Sequence, residues 1–178
     1  MILIMGVAGA GKSVLGRKVA DNLGLPWLST GEFLRMLVTG KRRKEMLAGQ
    51  LLSDTEMIEL ADKIFHMIET KEEFILDGFP RTVGQADWLI AQHSAGLINI
   101  STVLHIEASE NVVKERLLER GRQDDTKEAI AARFDEYRRV TLPMIKDFEN
   151  KAITVHHIDG EGTPKSVYQS VLPLLKDK

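Results

Sequence analysis

Short apolar runs alternate along the chain with longer stretches whose apolar residues recur every three or four positions. The alternation predicts strands and helices in turn. Ile2 to Met5 has strand length and no polar interruption, and an amphipathic helix follows from Ser13 to Leu23, opened by Lys12. Leu25 to Ser29 predicts a second strand, with Pro26 at its beginning, where a missing donor matters least. A helix is expected from Thr30, taken as its cap, to Leu37. Polar Thr39 to Lys44 then leads to another short helical piece ending near Gly49. Ser53 and Glu56 fit a capping box that opens a helix from Asp54 to Ile68, with Ile58, Ala61, Ile64, Phe65 and Ile68 on its core face. Phe74 to Asp77 predicts a strand, Val83 to Gln92 a helix, Thr102 to Ile106 a strand and Glu110 to Arg120 a helix. A polar link, Gly121 to Asp125, leads into a long helical stretch, Thr126 to Glu149, which Pro143 should bend or interrupt. A strand from Ile153 to Ile158 and a helix from Pro164 to Leu175 complete the pattern. Strands alternating with helices predict an α/β protein with a parallel sheet covered on both faces, its ligands outside the carboxyl ends of the strands.

Composition narrows the class. A chain of 178 residues, 43% hydrophobic and 28% charged, suits one globular domain without staples. The net charge of −2 gives no general attraction to nucleic acid or to an acidic membrane surface. With no cysteine, disulfides and thiolate metal ligands are excluded. No apolar run has the length of a membrane span, and only Met1 to Met5 precede Gly6, so a cytoplasmic protein without a leader is expected.

The most specific signal is Gly6-Val7-Ala8-Gly9-Ala10-Gly11-Lys12-Ser13, which fits G-x-x-x-x-G-K-[ST], the phosphate-binding loop. Its glycines let successive N–H groups face inward, and the positive end of the following helix favours an anion. The alternative, a chance glycine-rich turn, lacks the strand before and the amphipathic segment after. The hydroxyl of Ser13 and the carboxylate of Asp77, at the end of an apolar strand, are the candidate magnesium ligands, directly or through water. Phosphoryl transfer needs fixed positive charge more than proton chemistry, which draws attention to arginines. Arg116 and Arg120 share a helical face, Arg122 follows in the link, and Arg133 lies beyond Asp124 and Asp125. Folding the link back would gather them over bound phosphates, with the aspartates pairing some of them when no nucleotide is there. A solvated helix pair with surface ion pairs is the competing reading. Lys41 to Lys44 lacks interleaved aromatics and reads as an exposed helix face. His156 and His157 are strand neighbours pointing to opposite faces, a poor arrangement for one metal, and His105 reads as a core or strand-end residue.

In this order the motifs resemble those of the adenylate kinases, in the nucleoside monophosphate kinase family. The resemblance rests on the phosphate loop, Leu28 to Arg35, Gly49 to Asp54, Ile75 to Thr82 with Gln85, Glu115 to Asp125, and Asp159 to Gly162. It implies a three-layer P-loop kinase fold with a five-stranded parallel sheet, an acceptor flap at about 30–58 and a short lid at about 120–127. The implied reaction is Mg2+-dependent phosphoryl transfer from ATP to AMP, giving two ADP. Gly9, Ala10, Gly11, Lys12, Ser13, Val14, Arg116, Arg120 and Gly162 would bind ATP. Thr30, Leu34, Arg35, Leu52, Gly78, Arg81 and Gln85 would bind AMP, with Thr30 and Gln85 marking adenine as the acceptor base. Lys12, Arg81, Arg120, Arg122 and Arg133 would act on the transferred group. Arg116 would stack on the ATP adenine, and a cis bond would precede Pro80. A monomer is implied, with no zinc and no nucleic-acid or membrane partner.

Two departures stand out. Family loops usually have proline before the second glycine and glycine then threonine after the lysine, where this chain has Ala8, Ser13 and Val14. The stretch from Leu37 to Gly49 is also shorter than in most members, by more than a helical turn. A kinase for another monophosphate or a small metabolite, and a weakly catalytic nucleotide-binding regulatory module, therefore stay open as alternatives.

Overall fold

Strand β1, Ile2–Met5, is the centre of the molecule, each of its side chains at most 2% exposed. The computed structural model describes residues 1–48, 52–68, 70, 72–151 and 153–175. Strand β1 lies between β3 (Ile75–Asp77) and β4 (Thr102–Glu107). Outside these run β2 (Trp27–Ser29), on β3, and β5 (Val155–Asp159), on β4. All four pairings are parallel. Successive residues point to opposite faces, so Leu3, Met5, Leu76 and Val103 face one core, while Ile2, Ile4, Ile75, Leu104 and Ile106 face the other. Because both faces are covered, the central strands carry no polar alternation.

The first core is closed by α4 (Asp54–Met67), α5 (Val83–Ser94) and α8 (Leu142–Asn150), through residues such as Ile64, Leu89 and Phe148. The second is closed by α1 (Lys12–Leu23), α6 (Glu110–Arg120), α7 (Lys127–Glu136) and α9 (Pro164–Val171), through Leu15, Leu117, Phe134 and Val171. Each large apolar side chain so buried contributes about 1.5–3 kcal/mol before chain entropy is set against it. Two short helices, α2 (Thr30–Leu37) and α3 (Gly40–Leu47), stand over the carboxyl end of the sheet. The chain thus has the expected α/β architecture. Among the described residues no helix is long and apolar enough to cross a membrane.

Several boundaries differ from expectation, each for a local reason. Strand β2 begins at Trp27 rather than Leu25, because the Leu25 N–H caps α1 by donating to Ala20 O past the left-handed Gly24. The N–H of Ile153 likewise donates to Phe148 O and closes α8, so β5 begins at Val155. Ser29, not Thr30, occupies the cap position of α2, and the Thr30 hydroxyl donates instead to Asp77 O at 3.2 Å. The Ser53–Glu56 capping box forms as predicted. The long stretch from Thr126 divides ahead of Pro143, at a π-helical turn, Tyr137–Thr141, which leaves Pro143 in the first turn of α8. Proline cannot donate to the carbonyl four residues back, and widening the preceding turn accommodates that loss. Pro173 acts similarly at the end, where Leu172–Leu175 tighten into a 3-10 turn. Gly49, Gln50 and Leu51, part of the sequence motif before Ser53, lie outside the described residues.

Candidate active site

The strand order reverses about β1, between β3 and β4, and the phosphate loop leaves β1 at that point. Gly6 has φ 139°, and a Cβ there would lie 2.3 Å from Ile106 O, so neither the turn nor the close approach of β4 admits a side chain. The loop feeds α1, whose first residue is Lys12. Lys12 Nζ donates to Gly6 O at 2.8 Å and to Val7 O at 2.9 Å, so the ammonium rests on the loop's own carbonyls. Burial pushes Lys12 down from 10.5 to about 8; Asp77 opposes the shift, and Arg81, Arg120 and Arg133 add to it.

On the outer side of the loop, Gly9, Ala10, Gly11, Ser13, Val14, Arg120 and Arg122 line a cavity of ≈ 360 Å³ whose far wall is Arg116, Gly160 and Gly162. The Arg116 guanidinium is fixed by donating to Gly160 O (2.7 Å), Glu161 O (2.9 Å) and Gly162 O (3.2 Å). Ser13 Oγ donates to Asp77 Oδ2 at 2.7 Å, and Asp77 is 2% exposed at the end of β3. These two hard oxygen donors beside the phosphate loop fit a magnesium ion that keeps water and phosphate oxygens as its other ligands.

On the inner side, Leu34, Arg35, Leu52, Gly78, Arg81 and Gln85 line a second cavity, of ≈ 110 Å³, which Lys12, Arg120 and Arg133 also border. Gly78-Phe79-Pro80-Arg81 begins with a left-handed glycine, and the Phe79–Pro80 bond is cis, as the resemblance implies. Arg81 Nε donates to Gly78 O at 2.8 Å, and Thr141 Oγ1 donates to Arg81 O at 2.9 Å. Burial lowers the Arg81 pKa against Asp77, with Arg133 and Arg35 adding to the shift. Gln85, 1% exposed, accepts from Arg81 N at 2.9 Å and donates to Asp54 Oδ1 at 3.0 Å, so its amide orientation is fixed from both ends. Asp54 also accepts from Thr82 Oγ1 at 2.6 Å. Its approach requires Gly84, where a Cβ would lie 2.5 Å from Asp54 Oδ2. Sequence reasoning missed this role of Asp54; the one available sign was a carboxylate directly after the capping serine. Thr30 is 1% exposed behind the cavity wall rather than on it.

The polar link does fold back. Asp124 Oδ2 lies 2.5 Å from Arg133 Nη2 and 3.2 Å from Arg35 Nη2, so one carboxylate joins α7 to α2. Asp125 receives Arg120 through both oxygens, at 2.6 and 2.9 Å, and also lies 3.5 Å from Arg133. Both aspartates are buried. Burial alone would raise Asp124, but Arg133 and Arg35 outweigh it and hold its carboxyl below the usual range. Arg122 is set apart: its N–H donates to Asp125, while its side chain stays exposed and at ion-pair distance from neither aspartate. The competing reading of surface ion pairs thus fails for Arg120 and Arg133.

A parallel sheet with a phosphate loop at its switch point, and cations gathered between two cavities, defines a P-loop phosphotransferase. The comparisons narrow this. A model of the adenylate kinase family matches residues 4–153. The chain is 35% identical over 176 residues to an adenylate kinase of Corynebacterium aurimucosum, covering 96% of each protein. It is 36% identical over 180 residues to an adenylate kinase of Mycobacterium tuberculosis, with 98% of each covered. An adenylate kinase of Oenococcus oeni is 30% identical over 184 residues, covering 99% of this chain and 97% of that one. The chain belongs to the adenylate kinase family, and its class of reaction is phosphoryl transfer between nucleotides.

Proposed function

We propose that the two cavities divide the family's reaction, ATP plus AMP to two ADP, between the outer and inner sides of the phosphate loop. ATP occupies the outer cavity, its phosphates on the N–H groups of Gly9 to Val14 and its adenine against Arg116. AMP occupies the inner one, its phosphate between Arg35 and Arg81 and its base against Leu34, Leu52 and Gln85. Lys12 leaves its carbonyls for the transferred group, and Arg120, Arg122 and Arg133 neutralise the charge that moves. Ser13 and Asp77 hold a magnesium ion, which neutralises phosphate charge when bound. An AMP phosphate oxygen attacks the terminal phosphorus of ATP and ADP leaves. That oxygen is already anionic at neutral pH, so no general base is needed. The observation that carries this reading is the position of Lys12 and Arg120, which border both cavities and so can reach groups bound in either.

In this reading α2, α3 and the start of α4, at about 30–58, are the acceptor flap, and 120–127 is a short lid. Their closure excludes water, so ATP hydrolysis without acceptor is slow. The buried Gln85 amide, with its direction set by Asp54 and Arg81, favours a ring nitrogen next to an exocyclic amine, as in adenine. Every group of the proposed site comes from one chain, so the reaction needs no residue from a partner subunit. The test is ADP formation from ATP and Mg2+ with AMP, GMP, UMP or CMP, resolved by chromatography. AMP is expected to dominate. Preference for another acceptor would overturn the specificity, and no transfer to any would overturn the enzymatic assignment.

A further inference from the structure

On the sheet face covered by α8 and the π-helical turn, three potential metal ligands meet that sequence order keeps apart. The parallel register pairs His105 of β4 with His157 of β5, so the two imidazoles share a face, and Glu107, two residues beyond His105, returns to it. His105 Nδ1 lies 3.2 Å from His157 Nδ1; Glu107 Oε1 lies 3.1 Å from His157 Nδ1 and 3.5 Å from His105 Nδ1. Among the described residues this is the one group of three or more His, Asp or Glu side chains with ligand atoms so close together. An ion with bonds of about 2.0–2.1 Å to nitrogen and oxygen, in tetrahedral geometry, separates its ligands by about 3.3 Å. The triangle already has nearly those edges.

The outer ring nitrogens are held as well. His105 Nε2 is 2.6 Å from the Tyr137 hydroxyl, and His157 Nε2 is 2.9 Å from Glu149 Oε1. One dication satisfies all three inner atoms at once, and the outer contacts then play the orienting role usual around metal-bound histidines. His105 is fully buried, whereas the side chains of Glu107 and His157 are 51% and 45% exposed, which leaves an entry path and a fourth position for water.

We propose that His105, Glu107 and His157 form a binding site for one divalent transition-metal ion of the zinc type, separate from the magnesium position at Ser13 and Asp77. Two imidazoles and one carboxylate select zinc, cobalt or nickel over magnesium. Bound there, the ion ties β5 to β4 directly ahead of the Gly160 to Gly162 carbonyls that receive Arg116, and it stiffens the base of the ATP cavity. This does not depend on the acceptor assignment.

The test uses the full chain, freed of metal by a chelator and then desalted, and titrated with Zn2+ by calorimetry and with Co2+ by visible absorption. One equivalent should bind, with a cobalt spectrum of tetrahedral intensity and a raised melting temperature. His157→Ala and Glu107→Gln, both at half-exposed positions, should each weaken binding at least about tenfold. His156→Ala, on the opposite face of the same strand, should leave it unchanged. No binding by the unaltered protein, or equal binding by the His157 and Glu107 variants, would overturn the proposal and leave a network held by a shared proton. Loss of binding in the His156 variant would overturn it too.

Discussion

The two sides of the phosphate loop are built by different means. The outer side, proposed for ATP, is mostly backbone: one contiguous run, Gly6 to Ser13, forms its loop, and carbonyls of residues 160–162 hold its arginine. The inner side, proposed for the acceptor, is mostly side chains from distant segments, Arg35, Arg81, Gln85 and Arg133, set by hydrogen bonds and ion pairs spanning up to 89 residues of sequence. Its positive charge is offset within the protein by Asp124 and Asp125. A backbone cradle stands ready for its ligand, whereas a cluster of arginines needs counter-charges until phosphate arrives. The contrast teaches that the acceptor side should respond to single substitutions more strongly, and that its aspartates compete with substrate.

The largest effect is expected from Arg81→Ala, which should lower turnover with AMP by about 10³-fold, the scale of a lost phosphate-stabilising arginine. Circular dichroism and melting should change far less, and unchanged turnover would remove Arg81 from the site. Gln85→Leu comes next: it leaves the Arg81 N–H without a partner and Asp54 with Thr82 alone, and should cut the preference for AMP over GMP, whose ring edge has the reverse donor and acceptor order, by about 10- to 100-fold in kcat/KM.

Asp124→Asn tests the counter-charge idea directly. Removing the carboxylate between Arg35 and Arg133 should destabilise the nucleotide-free protein by about 2 kcal/mol, while tightening AMP binding because the arginines are no longer engaged. The sign with pH follows from the lowered carboxyl. Its contribution is fully present above the ordinary value of 3.8 and is lost as pH falls through the lower folded value. The stability gap between the two proteins, read from urea unfolding, should therefore be open at neutral pH and close below about pH 4. A gap independent of pH would assign the effect to packing.

The smallest effect belongs to the ATP side. Val14 is 55% exposed, so Val14→Thr should change turnover by about twofold or less, in steady-state assays at saturating AMP. A larger change would show that the departure from the usual loop sequence matters to the backbone cradle after all.

Much of this molecule was legible before folding, for physical reasons. The phosphate loop needs glycines at fixed spacing because a backbone must bend there, and such constraints are local. The strand and helix order followed from apolar periodicity, and the capping box at Ser53 from two residues three apart. Boundary errors at Leu25, Thr30 and Ile153 came from hydrogen bonds that close one element at the expense of the next. The roles of Asp54 and the His105–Glu107–His157 group were not legible, because each depends on which segments become neighbours. His156 and His157 were correctly seen to diverge, yet only the register of β4 against β5 brings His105 to His157. The sequence by itself determined the class of chemistry, since spacing dictates a phosphate cradle. Tertiary structure alone decided which charges face one another, because ion pairing depends on distance in space, and the sheet sets that distance across residues far apart in the chain.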